Sequence, residues 1–139
     1  MKNVYPVFFT QTEDIILIEV PDFGILTQGK NMNDAIDMAR DAMELYCISL
    51  EDAKEDIPLP SELKALSVVN GTFAKEGETF ISLVDIDSEE YRRKIDTRTV
   101  RRNVALPSWL NYEAEKAQIN VSRVLQEALI HTLGLKRKI

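Results

Sequence analysis

The chain contains one cysteine, Cys47, so neither an internal disulfide nor a thiolate metal cluster can be built within it. One histidine, His131, leaves both zinc chemistry and a Ser/His/Asp triad poorly supplied. No apolar run approaches the roughly 18 residues of a membrane span. The first residues also lack the charged-then-apolar pattern of a secretion signal. These absences point to a cytoplasmic, non-catalytic protein with no cofactor and no metal. What remains is ordinary for a globular chain: 139 residues with 45% apolar content can form one domain or two small ones.

Charge is distributed unevenly. Residues 1–96 carry 9 Lys+Arg against 20 Asp+Glu, a net of −11, whereas residues 97–139 carry 8 against 3, a net of +5. An acidic body repels nucleic acid and attracts a basic protein, and a basic tail can neutralise phosphates. The pattern suggests two partners of opposite charge.

Val4–Phe9 is rich in β-branched and aromatic residues and reads as a strand, with Pro6 placing it near an edge or a bulge. Ile15–Val20 is a second strand, antiparallel to the first, and Ile25–Gln28 a short third. A helix then runs from a cap at Asn31 or Asn33 to Leu50. Met32, Ala35, Ile36, Ala39, Met43 and Tyr46 recur at helical spacing, and Asp34, Asp37, Asp41 and Glu44 form a solvated stripe. Cys47 reads as a packing residue of this helix. After Pro58 and Pro60, Leu66–Val69 and Thr79–Val84 look like strands, the second well buried because it is free of charge. A short helix from Ser88 leads to a hinge near Thr97.

From Val100 the pattern changes. Arg101–Leu106 reads as one strand stopped by Pro107, followed by a helix capped by Ser108 and a second capped by Asn120. Val121, Val124, Leu125, Ala128, Leu129 and Leu133 make the apolar stripe of the second helix. Gly134 ends it, with Lys136, Arg137 and Lys138 beyond. About 40 residues are too few to bury a core, and a lone strand has no partner for its main chain. Both problems vanish if two chains pair their strands and interlock four helices, Trp109 packing among them. That is the ribbon-helix-helix arrangement, whose strand pair enters the major groove. Alternation turns Val104 and Leu106 inward and Arg101, Asn103 and Ala105 towards the bases. Arg102 falls on the inward side, where it either frays the strand or reaches a phosphate. Asn120 opens a helix whose Val121 and Ser122 N–H groups, with the Ser122 hydroxyl and Arg123, can hold a phosphate.

Tyr5-Pro6-Val7, Val20-Pro21-Asp22, Thr27-Gln28-Gly29, Ala39-Arg40-Asp41-Ala42, Glu44-Leu45-Tyr46 and Ile57-Pro58-x-Pro60 follow, in order, the N-terminal pattern of HicB antitoxins. Asn103-Val104-Ala105-Leu106-Pro107, Trp109-Leu110 and Asn120–Leu129 are similar to the family's ribbon-helix-helix form, so the resemblance covers nearly the whole chain. It implies an α+β protein. Residues 1–93 would form a small antiparallel sheet with a helix, a partial RNase H-like fold that binds a HicA-type toxin, a small basic RNA-cleaving protein. Residues 98–139 would form a dimeric ribbon-helix-helix domain that binds operator double-stranded DNA and represses the operon. The homodimer forms through residues 100–133, and dimers can pair further. Glu13, Asp14, Asp22 and Phe23 lie in loops near the family's toxin-binding surface and are the candidate toxin contacts. There the family's Asp-Gly-Gly and Pro-Gly-Cys are replaced by Glu13-Asp14-Ile15 and Asp22-Phe23-Gly24.

Two other readings compete. A ribbon-helix-helix repressor with a ligand-sensing N-terminal domain would need a deep apolar pocket. A metal nuclease would need Asp14, Glu19, Asp22, Asp85 and Asp87 to converge; solvated acidic surface is the better reading of these five.

Overall fold

In the computed structural model, which describes residues 1–137, period-two alternation builds a four-stranded antiparallel sheet. Its strands are β1 (Lys2–Gln11), β2 (Ile16–Val20), β3 (Ile25–Gly29) and β4 (Glu78–Asp87), in the order β3-β2-β1-β4. Tyr5, Val7 and Phe9 of β1 share one buried face with Ile16, Ile18 and Val20 of β2 and with Val84 and Ile86 of β4. The helix α1 (Met32–Asp52) covers that face with Ala35, Ala39, Met43 and Cys47, each four residues from the last. Asn31 caps α1 by accepting the Asp34 N–H at 2.9 Å, and the Asp34 carboxylate accepts the Lys30 N–H at 2.8 Å in return. Close packing here depends on Gly29, where a Cβ would stand 2.5 Å from the Ala35 Cα.

The Ser88 N–H donates to the Met1 carbonyl at 3.0 Å, which sets the alternation of main-chain groups. Even-numbered residues of β4 turn theirs towards odd-numbered residues of β1. Pro6, being even-numbered, therefore turns its missing N–H towards β2. It lies before the β1–β2 ladder, which starts at Phe8, so β2 has already ended there. A proline is thus accommodated inside a central strand.

Two strand expectations between Leu66 and Val84 fail. Thr79–Leu83 lies in an edge strand and is not well buried, because β4 pairs with β1 alone: Phe80 is 43% exposed, Leu83, on the face away from α1, is 53% exposed, and of Thr79–Val84 only Val84 is buried. Leu66–Val69 is no strand. The connector forms single 3-10 turns at Leu63–Ala65 and Val68–Asn70 instead. Side-chain tethers hold it against the sheet: the Tyr5 hydroxyl donates to the Pro58 carbonyl at 2.7 Å, and Glu19 accepts the Thr72 N–H at 2.8 Å and its hydroxyl at 2.6 Å.

The helix α2 (Ser88–Ile95) returns to α1, where Arg92 meets Glu51 at 3.2 Å and Asp52 at 2.8 Å. Glu44 is not part of a solvated stripe. It is buried, accepts the Asp87 N–H at 3.1 Å, and burial raises its pKa above the usual carboxylate value.

The chain divides into two compact units, Met1–Ile95 and Asp96–Ile139. The second contains α3 (Ser108–Lys116) and α4 (Val121–Leu133). Ser108 is the first residue of α3 rather than its side-chain cap; Pro107 precedes it. Gly134, at φ +66°, closes α4 by donating to the His131 carbonyl at 3.1 Å, while Leu135 donates to Ile130 at 3.0 Å. Lys136 and Arg137 follow; Lys138 lies outside the described residues. No helix among the described residues is long and apolar enough to cross a membrane.

Candidate nucleic-acid interface and partner surface

Residues 96–107 carry no regular secondary structure in the single chain. The strand expected at Arg101–Leu106 is therefore absent from the isolated chain. The physical reason is the one the sequence supplies: a strand must exchange hydrogen bonds with a neighbour, and the described residues of unit 2 include no strand that could be one. Arg101, Arg102, Asn103 and Ala105 are all exposed.

The start of α4 matches its sequence signal closely. Asn120 Oδ1 accepts the Arg123 N–H at 3.2 Å, and the Asn120 carbonyl accepts the Val124 N–H at 3.1 Å. Val121 and Ser122 precede the first internal bonds, so their N–H groups open outward from the helix end. Arg123 is exposed and its Nε lies 3.1 Å from Glu127 Oε1, one turn along the helix. Such an exposed pair is worth at most about 1 kcal/mol and can yield to a phosphate.

Unit 2 leaves its apolar residues exposed or half-buried. Among its described residues none is buried: Val104 is 53%, Trp109 68%, Leu129 58% and Leu133 65% exposed. Trp109 therefore does not pack into a core within one chain. A groove of about 730 Å³ runs between residues 99–104 and α4, lined by Val100, Val104, Leu125 and Leu129 together with Arg101 and Arg102.

The four candidate toxin contacts are not brought together. Glu13 and Asp14 are exposed in the turn before β2, and Asp22 and Phe23 follow its other end. A five-residue strand separates the two pairs by roughly 17 Å. Phe23 is buried at 9% exposure, its ring 4.7 Å from Tyr5 and 5.5 Å from Tyr46. Asp22 is half-buried and holds the connector through the Ser61 N–H at 3.0 Å and the Ser61 hydroxyl. Both carry structural work that their loop position does not reveal in the sequence.

The acidic residues considered for metal chemistry are likewise dispersed. Glu19 holds Thr72, Asp22 holds Ser61, and Asp85 receives Arg40 Nη2 at 2.8 Å, which lowers its pKa through that hydrogen bond. Among the described residues no group of three or more potential ligands could hold a metal ion.

Comparison with known proteins adds the family. Residues 5–128 match the family described as HicB_like antitoxin of bacterial toxin-antitoxin system. Among solved structures, a chain of a toxin-antitoxin complex from Streptococcus pneumoniae is 21% identical, with a TM-score of 0.59, covering 95% of this chain and 99% of that one. The antitoxin HicB of Burkholderia pseudomallei is 20% identical, with a TM-score of 0.51, covering 94% and 98%. At these identities the two structures establish the shared fold. No curated protein matches the chain.

Proposed function

The chain belongs to the HicB-like antitoxin family of bacterial toxin-antitoxin systems, and from that premise we propose that it neutralises a HicA-type toxin and represses its own operon. The acidic residues 1–96, at net −11, attract a small basic RNA-cleaving protein and cover its catalytic face. The basic residues 97–139 pair with a second copy as a ribbon-helix-helix domain and bind operator double-stranded DNA.

The exposed apolar row on unit 2 carries the DNA-binding half of this reading. Val104, Leu125, Leu129 and Leu133 line a surface that one chain cannot bury. A second copy would supply both the missing strand for residues 101–106 and the facing helix for α4. The same pairing would present Arg101, Asn103 and Ala105 on one ribbon face, with Arg102 and the α4 start, Asn120, Val121, Ser122 and Arg123, directed at the flanking phosphates.

The ligand-sensing alternative has less support. Two concavities of unit 1 carry several charged side chains, Lys2, Asp85, Asp87 and Glu90 in one and Asp37, Arg40, Asp41 and Lys94 in the other, and a third, beside Val68, Val69 and Ala74, holds only about 290 Å³. Co-expression with the small basic product of the neighbouring gene, followed by sizing and a growth assay, tests the proposal. A stable complex with rescued growth supports it; intact DNA binding without any complex would leave a plain repressor.

A further inference from the structure

The edge of the sheet carries an unused strand. Since even-numbered residues of β4 bond to β1, Thr79, Ile81, Leu83, Asp85 and Asp87 turn their N–H and C=O groups outward. Two side chains of α1 close the far end of this edge. Arg40 Nε donates to the Asp85 carbonyl at 3.0 Å, and the Asp87 N–H donates to Glu44 at 3.1 Å. Nothing comparable covers Thr79, Ile81 or Leu83 among the described residues. The devices that usually blunt an edge, a lysine, a proline or a bulge, are missing from Thr79–Val84.

We infer that Thr79–Leu83 is a pairing edge for the same segment of a second copy, antiparallel about a two-fold axis at Ile81. Three observations select this occupant. The open window is centred on Ile81, so the axis sets Ile81 against Ile81 and Thr79 against Leu83, each pair exchanging two main-chain hydrogen bonds. The window holds no charge from Thr79 to Val84 that would select a basic or acidic partner. The register also avoids repulsion: Glu78 faces Val84 and Asp85 faces Gly77, whereas an axis between Ser82 and Leu83 would set Glu78 against Asp87. The half-exposed Phe80 and Leu83 gain cover across the new ladder. Pairing through residues 100–133, as proposed above, raises the local concentration of one β4 for another; the experiment reads β4 alone.

The test is a register-specific cross-link in the full chain. On that axis the two Ile81 Cα atoms stand about 5.5 Å apart, inside the disulfide range of roughly 4.4–6.8 Å. The two Thr79 Cα atoms stand about 14 Å apart. With Cys47→Ala to remove the natural thiol, Ile81→Cys is expected to form a covalent dimer on mild oxidation, and Thr79→Cys is not. Equal cross-linking of the two, or none at Ile81→Cys in a folded protein, overturns the inference. Residue-resolved amide exchange provides a check free of introduced cysteines. The Ile81 N–H is expected to exchange at least about tenfold more slowly than in Leu83→Lys, which places a gatekeeping charge in the window. An Ile81 amide that exchanges freely in both proteins, or that is protected only when a basic protein is added, also overturns it.

Discussion

The carboxylate of Asp22 holds Ser61, accepting its N–H at 3.0 Å and its hydroxyl as well, and so ties the β2–β3 turn to a connector 39 residues away. Removing it leaves the Ser61 N–H without its partner, at a cost of about 1–3 kcal/mol. Asp22→Ala is therefore expected to lower the denaturation midpoint of unit 1 and to speed proteolysis between Pro58 and Gly77. An unchanged midpoint would mean that the tether contributes nothing and that any loss of toxin binding in this variant comes from direct contact.

DNA recognition divides by residue. Arg101→Ala and Asn103→Ala are expected to relax preference for operator over unrelated DNA, each by about 1–3 kcal/mol. Arg123→Ala should weaken binding to all sequences alike and reduce the slope of log affinity against log salt by about 1. Titrations of both DNAs at several salt concentrations separate the two effects.

The exposed apolar row makes a separate demand. Leu129→Glu places a charge in the surface that a second copy is proposed to cover. Operator affinity is expected to fall by at least about 100-fold, the equivalent of roughly 2.7 kcal/mol. Unit 1 should keep its wild-type melting, since Leu129 belongs to the other unit. Unchanged operator affinity would argue against the ribbon-helix-helix dimer.

Cys47 is fully buried, and burial first, then the nearby Glu51 and Glu44 carboxylates, push its thiol up to about 11. It should resist thiol reagents in the folded protein and react at once in denaturant. Because the folded pKa exceeds the unfolded value of 9.0, the unfolded chain loses its proton first as pH rises. This contribution to stability is thus complete below pH 9 and lost between 9 and about 11, a change on the order of 3 kcal/mol. The difference in unfolding free energy between wild type and Cys47→Ala, followed across that window, isolates it.

Much of the sheet was legible because its signals are local. Period-two alternation marks β1, β2 and β3, and Asn31 and Asn120 announce their helices through a single hydrogen bond each. What could not be read depends on contacts distant in sequence. Leu66–Val69 has strand composition, yet the grip of Glu19 on Thr72 and of Asp22 on Ser61 holds its segment in turns. The uncharged stretch of β4 looks buried until the strand order shows it at an edge. Phe23 and Asp22 read as loop residues open to a partner, whereas one fills the core beside Tyr5 and the other is engaged by Ser61. In unit 2 the residue pattern was read through a second chain, and the single chain shows two helices with exposed apolar side chains and no strand among the described residues.

Neutralisation of a toxin is the central claim, and an RNA-cleavage titration tests it most directly. Increasing amounts of this protein would be added to the HicA-type toxin proposed as its partner, with RNA degradation followed at each ratio. Cleavage is expected to fall in proportion and to cease near one antitoxin chain per toxin. Cleavage that continues unchanged at a large excess of this protein would contradict the account.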